Sequence, residues 1–432
     1  MRIEKLSAYL RKNDGFILLI FTLCMTFGTY ACMYAFRKPI AAANFDGMSV
    51  WGIDYKILVI TTQVIGYTVS KFVGIKYVSE YVNGPRATII FGLILTAQVS
   101  LLLFAITPEP YNIGWIFFNG LPLGMVWGFV FAYVEGRRTT EILAVGLTAA
   151  QIFSSGWLKA AGASLMANYG VSELWMPFVT GCVFFPPMMV CVFLLSHMPP
   201  PTAADVAMKT ERVAMGPAER KSFFTSNAFG LIALLIAYVG ILALRDSRDN
   251  FMSNMLVDIG ESLPKNFSII ENWVGFATLA VFFVIYFFKD NFKAFVGITG
   301  FIILGFGILG VSTYMFDQKM ISGITWLIFI GIGTYVSYAP MNTILFDRMI
   351  GMLKIKSNCG FLIYVADALG YLASVVVMFV KNFGSPQLNW TSFLMNFCYT
   401  MALVGIICSV AYLLYFWNKN KAISHDPNAT TA

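Results

Sequence analysis

The sequence predicts an all-α, multi-pass membrane protein: twelve transmembrane helices in two six-helix, pseudo-symmetric halves. Three observations carry that expectation: a charge-poor composition, twelve apolar runs long enough to cross a bilayer, and an uneven distribution of Lys and Arg between alternate loops. Of the 432 residues, 58% are hydrophobic, 16% aromatic and only 12% charged, whereas a soluble domain carries about 25% charged residues. That much apolar surface exceeds what one interior hides, so the surrounding solvent is lipid. A secreted disulfide scaffold, a disordered tail and a DNA-binding domain are excluded on the same ground.

A helix needs about 20 apolar residues to span the hydrocarbon layer. In order, spans 1 to 6 are predicted over 16–44, 55–78, 87–107, 111–134, 142–167 and 173–195, and spans 7 to 12 over 227–256, 266–288, 294–315, 322–346, 358–380 and 391–416. Span 1 is too long for the apolar core of a signal peptide and no small-residue cleavage site follows it, so it is expected to be a retained helix. Most connections are short. The exception is 196–226, which opens on Pro199-Pro200-Pro201 and continues through Lys209, Glu211, Arg212, Glu219, Arg220 and Lys221. This polar stretch separates an N-terminal half (1–195) from a C-terminal half (227–418), with a short tail at 419–432.

Charge orients the chain. With the N-terminus in the cytoplasm, the inner loops and tails hold about 19 Lys/Arg against about 4 outside, the positive-inside pattern. The inner set includes Arg11, Lys12, Arg137, Arg138, Lys289, Lys293, Lys354 and Lys356; the outer set is Lys56, Lys265, Lys319 and Lys381. Both termini are expected to be cytoplasmic, and the net charge of +7 reflects loops and not a nucleic-acid patch. A bacterial-type inner (plasma) membrane is the default location. Asn266-Phe267-Ser268 and Asn389-Trp390-Thr391 are glycosylation tripeptides in predicted outer loops.

The seven cysteines (Cys24, Cys32, Cys182, Cys191, Cys359, Cys398 and Cys408) show no metal-ligand spacing and read as small hydrophobes. The two histidines, His197 and His425, lie near segment ends. No metal, cofactor or enzymatic constellation is expected, and no partner beyond the bilayer and a small solute; the chain is expected to be a monomer.

Six cations fall inside or at the ends of spans: Arg37, Lys38, Lys71, Lys159, Arg245 and Arg248. A mid-bilayer arginine or lysine costs about 2.5–3.5 kcal/mol on insertion scales, so such residues face a cavity or a partner. Snorkelling to the interface is the competing reading for Lys38 and Arg248. Span 1 reads Tyr30-x4-Ala35-x-Arg37 and span 7 reads Tyr238-x4-Ala243-x-Arg245. Two arginines related by the repeat would face one central cavity, where guanidinium forks hold an oxyanion bidentately. Asp249, four residues after Arg245, is a candidate pairing partner for it, and Asp367 in span 11 is a candidate proton-coupling acid.

Six spans, a cytoplasmic linker and six spans is the arrangement of the major facilitator transporters, whose halves are parallel repeats. Within them the motifs resemble the organophosphate:phosphate antiporters. Gly28-Thr29-Tyr30-Ala31-Cys32-Met33-Tyr34-Ala35-Phe36-Arg37-Lys38-Pro39 is similar to that family's helix-1 signature. Ser70-Lys71-Phe72, Ser79-Glu80 and Asn83-Gly84-Pro85-Arg86 resemble its S-K-F…S-D-R-x-N-P-R. Gly120-Leu121-Pro122-Leu123-Gly124-Met125-Val126-Trp127 is close to its G-M-G-W stretch, span 10 carries Tyr338-Ala339-Pro340, and Gly360…Gly370-Tyr371-Leu372 in span 11 keeps its spacing. Gln151 stands where the family has a histidine, Tyr81 where it has an arginine, and Lys159 is an added cation. The resemblance implies a transporter exchanging a phosphate ester for inorganic phosphate. It implies Arg37 and Arg245 (or Arg248 after a three-residue shift) as phosphate ligands, Lys71 as further charge, and Tyr30, Tyr34, Tyr67, Tyr238 and Gln151 as wall or hydrogen-bonding contacts. The rivals are proton-coupled transport of another small solute and a non-transporting sugar-phosphate sensor.

Overall fold

A computed structural model describes residues 4–81, 85–134, 137, 139–200, 217–353, 360–385 and 387–425. Asn83, Gly84, Arg138, Lys354, Lys356, Cys359 and most of the predicted linker lie outside them. Among the described residues twelve long helices follow the predicted spans: Phe16–Met33, Tyr55–Tyr81, Arg86–Ile106, Ile113–Phe131, Thr140–Tyr169 and Met176–Leu195, then Ala228–Asn250, Leu263–Tyr286, Asn291–Asp317, Gly323–Pro340, Gly360–Phe379 and Trp390–His425. Ten are long and apolar enough to cross a membrane. The other two, spans 2 and 5, are 27 and 30 residues long and are made less apolar by Lys56 and Lys71 and by Glu141 and Lys159.

The chain forms two compact units. The first contains residues 1–209, 249–272 and 378–386; the second contains 210–248, 273–377 and 387–432. The end of span 7, the start of span 8 and the end of span 11 therefore belong with the first six spans.

Span 12 shows the inverted outside of a membrane helix. Leu403, Ile407, Val410 and Leu414 are exposed along one stripe, while Leu394, Cys398, Met401, Tyr412 and Phe416 are buried on the other. The spacing of three and four keeps each set on one helical face. Both faces are apolar, so burial and not polarity distinguishes the lipid side from the interior.

In the first unit, spans 2 and 4 approach until their backbones nearly touch. A Cβ on Gly120 would lie 2.3 Å from the Gln63 carbonyl oxygen, and one on Gly66 would lie 2.3 Å from that of Phe117. Small residues at such crossings let apolar helices gain close packing where lipid supplies no hydrophobic drive. An amphipathic helix, Glu4–Lys12, precedes span 1. Its Leu10 packs with Leu18, Leu195 and Met198, and its Ser7 hydroxyl donates to the His197 carbonyl at 2.8 Å.

Three predicted spans are not continuous α-helices. Span 1 stops at Met33, tightens into a 3-10 turn over Tyr34–Phe36, breaks at Arg37 (φ −123°) and resumes as a 3-10 turn over Pro39–Ala42. Pro39 is the physical cause: its ring removes the N–H that would continue the ladder. Span 7 is interrupted at Phe251, after which Met252–Asp258 forms a separate helix. Span 10 passes through a π-helical turn, Met341–Leu345, directly after Pro340, and then continues as Phe346–Met352.

Candidate functional site

The break in span 1 places Arg37 in the interior of the first unit, with only 6% of the residue exposed. Side-chain amides hold the broken backbone. Asn119 donates to the Phe36 carbonyl at 3.0 Å and to that of Ala97 at 3.2 Å, and Gln63 donates to the Asn119 side-chain oxygen at 2.8 Å. The bond from Asn119 gives the Phe36 carbonyl a side-chain donor where the chain leaves the helix, and backbone polar groups at membrane depth need such partners.

The Arg37 guanidinium carbon lies 4.1 Å from the centroid of the Tyr67 ring. The Lys71 ammonium lies 5.4 Å from that ring and 5.4 Å from the ring of Trp127. Tyr67 and Lys71 are one turn apart on span 2, and Trp127 follows the Gly120 crossing on span 4. The close approach of these two helices thus sets the distance between the cations and the aromatic wall. Tyr30 and Tyr34 meet edge to face at 5.5 Å, and Gln151 donates to the Tyr30 hydroxyl at 3.2 Å. The first unit therefore gathers Arg37, Lys71 and Tyr67 in one group and Tyr30, Tyr34 and Gln151 in another.

In the second unit Arg245 lies over the Tyr338 ring, 4.3 Å from its centroid, and pairs with Asp246 at 2.7 Å. Ser374 donates to the other Asp246 oxygen at 3.0 Å. Beside them Tyr238 donates to Asp367 at 2.5 Å, and Asn342 donates to the Tyr238 hydroxyl at 2.7 Å. Arg245, Tyr238 and Asp367 fall in one neighbourhood, bridged by Tyr338, whose ring is 5.8 Å from that of Tyr238. Arg248 is turned elsewhere. It is 1% exposed and donates to the Leu327 carbonyl at 3.2 Å.

The expected pairing of Asp249 with Arg245 is not formed. Arg245 takes its sequence neighbour, and Asp249 is bound in the first unit by Lys38, by Lys159 at 2.5 Å and by the Ser155 hydroxyl at 2.5 Å. Lys38 and Arg248 are both buried and do not snorkel. Lys56, counted above as an outer-loop charge, is 1% exposed. Its ammonium donates to Ser253 Oγ (2.5 Å), Asn254 Oδ1 (2.8 Å), the Ala41 carbonyl (3.2 Å) and Asn44 Oδ1 (3.3 Å). Asn266 of the first glycosylation tripeptide is buried inside the span 8 helix and offers no site for a glycan.

Residues 39–419 match the model of a family of unknown function, DUF5690. The chain belongs to that family. The matched region begins two residues after Arg37 and contains Lys71, Tyr67, Gln151, Tyr238, Arg245 and Asp367. No curated protein matches the chain. Among solved structures, the chain is similar to a D-xylose–proton symporter (14% identity, TM-score 0.60, covering 93% of this chain and 96% of that one). It is similar to a bacterial homologue of the human drug peptide transporters PepT1 and PepT2 (10%, 0.60, 93% and 99%). A bacterial homologue of the human lysosomal transporter Spinster, solved inward-facing and unoccupied, aligns at 11% identity with a TM-score of 0.62 over 94% and 98%. These likenesses establish a multi-pass, major facilitator fold for this DUF5690 member.

The amides Asn119 and Gln63, the acid Asp246 and the Lys159–Asp249 pair were not singled out as working together in the sequence. Polar residues inside otherwise apolar runs (Gln63 and Asn119 in spans 2 and 4) are the signal that finds such helix-supporting groups.

Proposed function

We propose that this chain is a secondary active transporter that carries an organic anion, a phosphate ester, across a plasma membrane by alternating access and exchanges it for inorganic phosphate. The observation that carries the reading is the placement of Arg37 and Lys71 against one ring, Tyr67. Two cations on one aromatic wall, Arg37 buried and Lys71 half-buried, repel each other more strongly than in bulk water, and an anion relieves that repulsion. Arg37 supplies the bidentate fork and Lys71 a point charge; in the second unit Arg245 is the corresponding ligand and Tyr238 a wall contact. Tyr30, Tyr34 and Gln151 shape the approach.

Exchange follows from the same electrostatics, because a bound anion offsets the repulsion between Arg37 and Lys71 and so eases passage through a closed state. The test is uptake of radiolabelled glycerol 3-phosphate, hexose phosphates and phosphate into proteoliposomes. Preloading with inorganic phosphate is expected to stimulate uptake, and a pH gradient alone is not. Binding without any flux would identify a sensor instead. Acid-driven uptake abolished in Asp367→Asn would favour proton coupling through that acid, the second reading supported by its contacts with Tyr238 and Asn342.

A further inference from the structure

The guanidinium that the proposed function assigns to the substrate in the second unit is already occupied. Arg245 Nη2 donates to Asp246 Oδ1 at 2.7 Å and Nε donates to the same oxygen at 3.2 Å. That Nε–Nη2 edge is one of the two edges on which an arginine fork takes an oxyanion. One flat face of the group is covered by Tyr338. The second Asp246 oxygen accepts from Ser374, so the carboxylate is held at both ends. The Arg245 side chain keeps 11% of its surface accessible while that of Asp246 keeps 3%: the cation is reachable, and the group blocking it is not washed by solvent.

The groups recorded around Arg245 in the second unit are tyrosines and acids. Tyr335 and Tyr338 of span 10 and Tyr371 of span 11 lie around Arg245, and Asp367 and Asp246 both act on Tyr338. Ser374 of span 11 holds Asp246, and on span 7 Tyr238 is bound to Asp367. The remaining cation of span 7 here, Arg248, is directed at the Leu327 carbonyl. With both acids ionised, Arg245, Asp246 and Asp367 sum to one negative charge. A dianion placed on Arg245 would then sit beside a buried carboxylate that has just lost its partner, the costly half of a broken buried pair.

We infer that Asp246 is a built-in competitor of the substrate for Arg245, and that an anion engages Arg245 as Asp246 takes up one proton. This inference rests on the anion-transport reading and adds a proton to each binding step. The proton comes from an acid in the aqueous phase, whose conjugate base stays in solution, and adds to Oδ1, the oxygen Arg245 releases. Oδ2 keeps its bond from Ser374, and the new O–H is a donor to the anion. In an exchange cycle the outgoing and incoming anions each travel with a proton, so exchange needs no net pH gradient.

The test uses the purified full-length protein in detergent and sulfate as probe, because sulfate stays a dianion from pH 5.5 to 8; inorganic phosphate and glycerol 3-phosphate are run beside it. Titration calorimetry in buffers of different ionisation enthalpy is expected to show close to one proton taken up per sulfate bound at pH 7. Affinity is expected to weaken as pH rises, a slope in the direction for a proton taken up on binding. In Asp246→Asn the proton uptake and the slope should vanish and binding at pH 8 should tighten; Arg245→Gln should weaken binding sharply. Wild-type binding without proton uptake, or a slope that survives in Asp246→Asn and disappears in Asp367→Asn, overturns the inference and leaves anion transport standing. Failure of every probe to bind the folded wild type between pH 5.5 and 8 overturns the anion reading and the inference with it. If Asp246→Asn does not fold, the wild-type proton count decides alone.

Discussion

Lys159 and Asp249, 90 residues apart, meet through two contacts: the lysine ammonium donates to Asp249 Oδ1 at 2.5 Å and to the Asp249 backbone carbonyl at 3.0 Å. Lys38 binds the other carboxylate oxygen. Lys159 is on span 5, Lys38 follows the break in span 1, and Asp249 comes from the end of span 7, so one acid anchors three spans in the first unit. All three side chains are buried. The pair satisfies the rule that an intramembrane charge finds a partner, and one carboxylate serves two ammonium groups.

Asp249→Asn is therefore expected to destabilise the protein. It leaves two buried ammonium groups with a neutral acceptor, and removing one member of a buried pair costs about 3–5 kcal/mol. Thermal unfolding in detergent should show a clear drop in midpoint. Adding Lys159→Met should recover part of it, because the second stranded charge goes too. A midpoint equal to that of the wild type would show that the triad contributes nothing to stability.

Gly120 sets the spacing of the wall that carries Lys71 and Tyr67. Gly120→Ala puts a methyl group 2.3 Å from the Gln63 carbonyl oxygen, so spans 2 and 4 must separate, at a cost of about 1–3 kcal/mol for overpacking. Gly307→Ala is the matched control, since a Cβ there meets nothing within 4 Å. It should be neutral or stabilise by about 0.5–1 kcal/mol, the helical preference for alanine over glycine. Equal melting behaviour of the two variants would count against the close crossing.

Arg37→Lys keeps the charge and removes the fork. Charge-assisted hydrogen bonds contribute about 1.5–3 kcal/mol each, so substrate affinity should fall roughly ten- to a hundredfold while expression and melting change little. Lys38→Arg is the neighbouring comparison. Its ion pair with Asp249 is within reach of arginine as well, so binding should stay close to wild type. Undiminished affinity in Arg37→Lys, for a ligand the wild type binds, would remove Arg37 from the site.

The spans were legible because twenty apolar residues can hardly be anything else, whereas the break in span 1 was not read, although Pro39 is the residue that causes it. Arg37 was legible for the same reason it is expensive: a guanidinium among apolar residues must have a use. Pairings across the chain were not. Nothing in the one-dimensional pattern says that Asp249 prefers Lys159 to Arg245 four residues away, because helix periodicity ranks neighbours within a helix and is silent about the other helices. Lys56 was misplaced because a lysine opening an apolar run looks like a loop charge. Its four oxygen partners come from Ala41, Asn44, Ser253 and Asn254, segments with no pattern linking them. The Arg245–Asp246 pair was missed because adjacent residues on a helix ordinarily diverge.

Arg245 and Arg248 are three residues apart, and the sequence alone leaves open which is the ligand of span 7. Their surroundings differ in kind. Arg245 sits among Tyr338, Asp246 and Ser374 with its side chain partly accessible, whereas Arg248 is 1% exposed and spends a donor on the Leu327 carbonyl. Span 10 makes room for it with Gly331, where a Cβ would come within 2.5 Å of the Arg248 Nη2 atom. Arg248 thus acts as a packing and hydrogen-bonding strut. Arg248→Lys should lower the melting midpoint, because lysine does not fill the slot or reproduce the fork, and the protein that stays folded should bind substrate normally. Gly331→Ala should share that signature by crowding the guanidinium. Arg245→Lys should do the reverse: the charge that answers Asp246 is kept, melting changes little, and affinity falls roughly ten- to a hundredfold for the lost charge-assisted bond. Measuring midpoint and affinity together on the three variants separates the roles. Lost binding at an unchanged midpoint in Arg248→Lys would move the ligand role three residues along the helix.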